Sequence, residues 1–155
     1  MKLRALAPLA LAAVLAAGTT AAATGSTTGS TTDTADTANA CRTPLGRSLQ
    51  LTLDDGLVMR FDYTADGASL TGTILAAGDT GGEVGHVTTV PVDLAQVSTG
   101  VWLANWIEAD DLTISLAQDM RTRTARTYWS YSLGDGHRGG ESHSGTFTCL
   151  PGTTG

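Results

Sequence analysis

From residue 48 onward the apolar side chains recur at every second position, and that period fixes the fold class. Leu49, Leu51 and Leu53 alternate with Ser48, Gln50 and Thr52, and Asp54-Asp55-Gly56 follows as a tight-turn signal. Leu57, Met59, Phe61 and Tyr63 alternate with Val58, Arg60 and Asp62, and Asp66-Gly67 marks a second turn. Leu70, Gly72, Ile74 and Ala76 make a third run, ahead of a glycine-rich loop over Gly78 to Gly85. A fourth strand is predicted over Val87 to Leu94, with Pro91 at an edge or bulge. Val97 to Ala109 reads as one long strand bent at Gly100. Asp110-Asp111 turns the chain into an alternating run from Leu112 to Ala117. Thr122 to Leu133 is the next strand, Gly134-Asp135-Gly136 a turn, and His143 to Leu150 the last strand. No stretch carries the 3.6-residue period of an amphipathic helix. The expected fold is all-β: an up-and-down antiparallel β-barrel of about eight strands joined by hairpins.

The chain has two cysteines, and they sit at the two ends of this strand-rich stretch. Cys41 opens it and Cys149 closes it, 108 positions apart. A two-sheet sandwich of the immunoglobulin type places its cysteines in central strands instead. No C-x-x-C spacing suggests a metal pair. One disulfide joining the domain ends is therefore expected, which requires an oxidising compartment.

The residues before Cys41 agree with export. Lys2 and Arg4 form a basic n-region, Ala5 to Ala17 an apolar run, and Ala21-Ala22-Ala23 an A-x-A cleavage site. Residues 1–23 are thus predicted to be a signal peptide, and a secreted or periplasmic (cell-envelope) location follows. Residues 24–40 are almost all Thr, Ser, Gly, Ala and Asp and read as a disordered linker. Residues 41–150 form the barrel domain and residues 151–155 a flexible tail. The apolar run is too short for a transmembrane helix, so no membrane insertion is expected after cleavage.

Cleavage would leave seven basic residues, all arginine, against fifteen acids, a net charge of −8 from the full chain's −6. An acidic surface without lysine disfavours nucleic acid and anionic membranes, which need basic clusters. The one basic concentration, Arg121, Arg123 and Arg126, reads as a solvated strand edge.

Gly100-Val-Trp-Leu-Ala-Asn-Trp-Ile-Glu108, followed by Leu112-Thr-Ile-Ser-Leu-Ala-Gln-Asp119, resembles the MoaF-like proteins. These are lipocalin-like (calycin) β-barrels named after a molybdenum cofactor biosynthesis protein. They share a hydrophobic-Trp-x-Glu strand and then an alternating strand ending in Asp, places held here by Trp106, Glu108 and Asp119. The hairpin from Leu45 to Tyr63 is also similar. The resemblance implies a calycin-like barrel and leaves the chemistry open.

Candidate site residues follow from strand parity. Trp102, Ala104, Trp106 and Glu108 share one face, and Val101, Leu103, Asn105 and Ile107 the other. If the tryptophan face looks inward, the interior has aromatic walls and one carboxylate, suited to a small apolar or aromatic ligand. If the other face does, Asn105 is a lone polar group in an aliphatic core. Trp129 and Tyr131 on a later strand would complete the same cavity. The ligand-binding candidates are Trp102, Trp106, Glu108, Trp129 and Tyr131.

His137, Glu141 and His143 have an H-x3-E-x-H spacing that matches no strong metal motif. They read as polar loop residues beside the Gly139-Gly140 pair, so neither a metal nor another cofactor is expected. A lyase of the phenolic acid decarboxylase type would need an interior Tyr, Arg and Glu. Arg60 and Tyr63 lie on opposite strand faces, so with Glu108 they make a poor trio. The sequence thus favours a secreted small-molecule-binding barrel. The alternatives are a structural or protein-interaction module of the envelope and a calycin-type lyase or isomerase. The oligomeric state is left open.

Overall fold

The computed structural model describes residues 41–151 except Gly81 and Asp110. The predicted signal over 1–23, the linker over 24–40 and the tail beyond Pro151 lie outside the described residues. Among the described residues, nine strands form one antiparallel sheet. They are β1 (Ser48–Leu53), β2 (Leu57–Tyr63), β3 (Ser69–Ala77), β4 (Val87–Pro91), β5 (Asp93–Ser98), β6 (Val101–Ile107), β7 (Thr113–Asp119), β8 (Thr124–Gly134) and β9 (His137–Cys149). Gly78–Thr80 adds a single 3-10 turn after β3. No helix among the described residues is long and apolar enough to cross a membrane.

The sheet order is β4-β3-β2-β1-β9-β8-β7-β6-β5. All chain neighbours but one pair, and β9 returns beside β1. The exception explains the shape. β4 and β5 lie at opposite edges of the sheet, yet only Val92 separates Pro91 from Asp93. The sheet must curl until its edges approach, which makes an up-and-down barrel whose ladder stays open at this one seam.

The predicted single strand over Val87 to Leu94 is corrected here. Pro91 has no N–H to continue a ladder, and the Val92 N–H donates to the Ala68 carbonyl at 3.1 Å. The strand therefore breaks, its first part pairing with β3 and its second with β6. Counted as one path that changes partners, it reconciles eight expected strands with nine observed. Gly100 is likewise a hairpin turn rather than a strand bulge, with φ of 73° between β5 and β6. Arg121 and Arg123 are in the turn after β7, not on a strand; only Arg126 is, facing outward on β8.

The last strand is longer than predicted. β9 starts at His137 and pairs with β8 along its length. The glycine pair that suggested a loop is covered instead: Tyr131 lies over Gly139 and Tyr128 over Gly140. Aromatic rings shielding glycines restore the packing that a strand glycine lacks.

One apolar cluster lines the interior. Leu49, Leu51, Leu53, Phe61, Leu70 and Phe147 are buried from β1, β2, β3 and β9, and Ala104, Trp106, Ile114 and Leu116 face them from β6 and β7. Phe61 meets Trp106 edge-on, with centroids 5.9 Å apart at 78°. Cys41 and Cys149 are joined by a disulfide, with Cα atoms 6.0 Å apart. The bridge lies at one end of the barrel. There the Tyr63 hydroxyl donates to Gln118 Oε1 at 3.1 Å, and burial pushes the Tyr63 pKa up.

Candidate functional site

Strand β6 decides which parity faces inward. Ala104 and Trp106 are buried, whereas Ile107 is 62% exposed. The tryptophan face therefore looks into the barrel and Asn105 looks away from it.

The barrel end opposite the disulfide holds a half-enclosed cavity of about 480 Å³. Met59 and Phe61 of β2, Leu70 and Ile74 of β3, and Val90 of β4 form one wall. Trp106, Ile114 and Trp129 form the other, with Leu112 and Ala109 near the rim. The polar groups are few: Glu108, Thr80, His86 and Thr88, the last two hydrogen-bonded to each other at 3.0 Å. A second void of about 30 Å³ shares Met59, Phe61, Trp106, Glu108, Ile114 and Trp129 with this cavity. It also reaches Leu51, Leu53 and Thr127.

Glu108 is held in place from both sides. Trp106 Nε1–H donates to Glu108 Oε1 at 2.7 Å. The Glu108 amide donates to the Leu112 carbonyl at 2.8 Å, and the Asp111 amide donates to the Glu108 carbonyl at 3.1 Å. Asp111 has φ of 66° and is clamped by Arg138, whose Nη1 donates to its Oδ2 at 2.9 Å. Arg138 also donates to the Ser130 carbonyl and hydroxyl, tying the rim turn to β8.

Of the five residues expected to line the cavity, three meet there: Trp106, Glu108 and Trp129. Trp102 shares their face but sits lower, half-buried between its strand partners Gln96 and Gln118. Tyr131 lies above Trp129 and packs on Gly139 near the end of the hairpin. Neither lines the cavity. The lyase trio does not assemble. Arg60 faces outward onto Asp62 at 2.9 Å, Tyr63 is buried with Gln118, and Glu108 is at the opposite end.

The three sequence-adjacent groups His137, Glu141 and His143 do not converge as a trio. His137 is six residues from His143 along β9, roughly 20 Å at strand rise. His143 faces inward and its ring centroid is 4.7 Å from that of Trp129. Its neighbours are Asp54 and Asp55 of the β1–β2 turn, with Nδ1 3.3 Å and 3.6 Å from their oxygens. One nitrogen and two carboxylate oxygens are a donor set a divalent cation accepts. In this structure they tie the β1–β2 turn to β9. Asp54 also accepts from the Ser144 amide at 3.0 Å and from its hydroxyl at 2.6 Å.

These bonds, with Ser144 first and His143 lesser, hold the Asp54 carboxyl down to about 2. A group whose pKa is lowered by folding favours the folded state above its ordinary value and loses that contribution as pH falls through the lowered one. Asp54→Asn should therefore lower stability at pH 6, and the deficit should shrink between about pH 4 and 2. Urea melts at both pH values check this; an equal deficit at each would show that the tie is not made in solution.

The MoaF-like family matches residues 45–147. The chain belongs to the MoaF-like family. Among solved structures, one from Burkholderia vietnamiensis described as a "putative beta-lactamase" aligns with a TM-score of 0.58 at 21% identity, over 68% of this chain and 94% of that one. At that identity the likeness concerns the fold alone. Rhizavidin bound to biotin aligns at 0.44 with 11% identity, over 70% of this chain and 97% of that one. Core-bradavidin aligns at 0.44 with 15% identity, over 65% and 99%. Neither of these weaker likenesses bears on function. No curated protein matches the chain. In this MoaF-like barrel, the expected motif residues divide between the two ends. Trp106 and Glu108 stand at the cavity. Asp119 is at the disulfide end, accepting from the Arg121 side chain and amide, which lower its pKa to about 2.

Proposed function

We propose that this chain is a secreted or cell-envelope barrel that binds one small, largely apolar or aromatic molecule. The observation that carries this reading is the cavity of about 480 Å³ with apolar walls and one fixed carboxylate. Ligand sites of this kind span about 300–1,000 Å³ and use few, well-placed polar groups. Phe61, Trp106 and Trp129 supply flat apolar surface, and the Trp106–Glu108 hydrogen bond keeps the carboxylate from wandering into solvent. Trp106, Glu108 and Trp129 are the ligand-facing residues in this account, with Trp102 and Tyr131 in a supporting layer. The disulfide and the signal-like N-terminus support the location.

Native mass spectrometry tests the reading, on oxidised protein from its own organism and from a secreting host. The expected result is a chain two hydrogens lighter than its reduced form, carrying a small molecule released on denaturation. Protein without a small molecule that also fails to take up aromatic probes would contradict it. The weight would then pass to an interaction module working through its surface.

A further inference from the structure

We propose that the cavity selects ligands bearing one hydrogen-bond-donating group, a hydroxyl or amino group on an aromatic or apolar body. This group is seated in the small void between Thr127 and Glu108. The inference rests on the cavity reading above and deepens it. Thr127 is 4% exposed, and its hydroxyl has no hydrogen-bond partner among the described residues. It lines the void of about 30 Å³, which Glu108 lines as well. Buried hydroxyls are ordinarily paired, so an unpaired one beside a void marks a position for a polar partner. The void has room for a water-sized group, and so for a hydroxyl or amino group. Every other described residue that lines it is apolar, from Leu51, Leu53 and Met59 to the aromatic rings.

The chemistry narrows the group further. Among the described residues, Trp106 Nε1–H is the donor to the Glu108 side chain. A carboxylate accepts several hydrogen bonds, so it has capacity for another donor. A hydroxyl can donate to Glu108 and accept from Thr127, and an amino group can donate to both. A ligand carboxylate or ether oxygen offers only lone pairs to Glu108 and is disfavoured. The ring would then lie upward between Phe61, Trp106 and Trp129.

Matched probes test this: 2-naphthol and 2-methylnaphthalene differ by a hydroxyl in place of a methyl group. Tryptophan-fluorescence titrations of the intact, oxidised protein give both dissociation constants. The wild type should favour 2-naphthol by about tenfold or more, although the methyl compound is the more hydrophobic. Thr127→Val keeps the shape and removes the hydroxyl, and Glu108→Gln removes the charge. Each should bring the ratio of the two constants close to one, with thermal melts confirming that the variants fold. Equal wild-type affinities, or a preference that survives both substitutions, would overturn the inference while leaving the cavity reading intact. Failure of both probes to bind would overturn the two together.

Discussion

Replacing both cysteines by alanine should destabilise the domain by about 4–5 kcal/mol, the chain-entropy value for so long a closed loop. The bridge spans 108 residues, and a domain of this size has only about 5–15 kcal/mol in total. The folded state loses little locally. Cys41 is also held through Arg123, whose Nη1 donates to the Cys41 carbonyl at 2.6 Å. The Gly46 and Arg47 amides keep their partners Thr64 and Pro44, and Leu150 keeps Ser48. The effect thus acts on the unfolded chain, whose ends are no longer joined. Equilibrium urea unfolding checks it. At a slope of roughly 1–3 kcal/mol per molar urea, the midpoint should fall by about 2 M. A shift worth less than about 1 kcal/mol would mean that strain in the native bridge cancels its entropic benefit.

Trp106→Ala should cost about 3–5 kcal/mol, the range for truncating a buried large aromatic. Three losses combine at this position. Trp106 is buried, its ring packs edge-on against Phe61, and its Nε1–H holds Glu108. Removing it merges the side chain's space with the cavity and releases the carboxylate. Affinity for an aromatic probe should fall at least tenfold, since the flat wall and the fixed polar group go together. Trp102→Phe, outside the cavity lining, should change that affinity by less than twofold. If Trp106→Ala folds and binds the probe as tightly as wild type, the probe sits elsewhere.

Much of the barrel was legible in the alternation, because one face of each strand must be buried. Leu49, Leu51, Leu53, Phe61 and Tyr63 are core residues by parity alone. The break at Val92 was less legible: Pro91 signals an edge, but a strand changing partners depends on where the far edge of the sheet arrives. Gly139 and Gly140 misled because their shielding comes from Tyr131 and Tyr128 on the neighbouring strand.

The site divides in the same way. Trp106 and Glu108 share a strand face, so their proximity is local. Thr127 looks ordinary in sequence and becomes conspicuous only through its burial without a partner. His143 and Asp54 are 89 residues apart and meet because β9 returns beside β1. Two of the three clustered arginines, Arg121 and Arg123, fall in the turn after β7 rather than on a strand. A positive φ at Arg123 turns the chain there, a conformation that an arginine does not signal in the sequence.

The most direct test of the cavity as a ligand site is a crystal structure of the oxidised protein grown with 4-iodophenol. The iodine's anomalous signal locates the ring without reliance on weak density. One dominant iodine peak is expected inside the barrel, with the ring between Phe61, Trp106 and Trp129 and the hydroxyl toward Thr127 and Glu108. An interior closed by its own side chains, with iodine only on the outer surface, would contradict it.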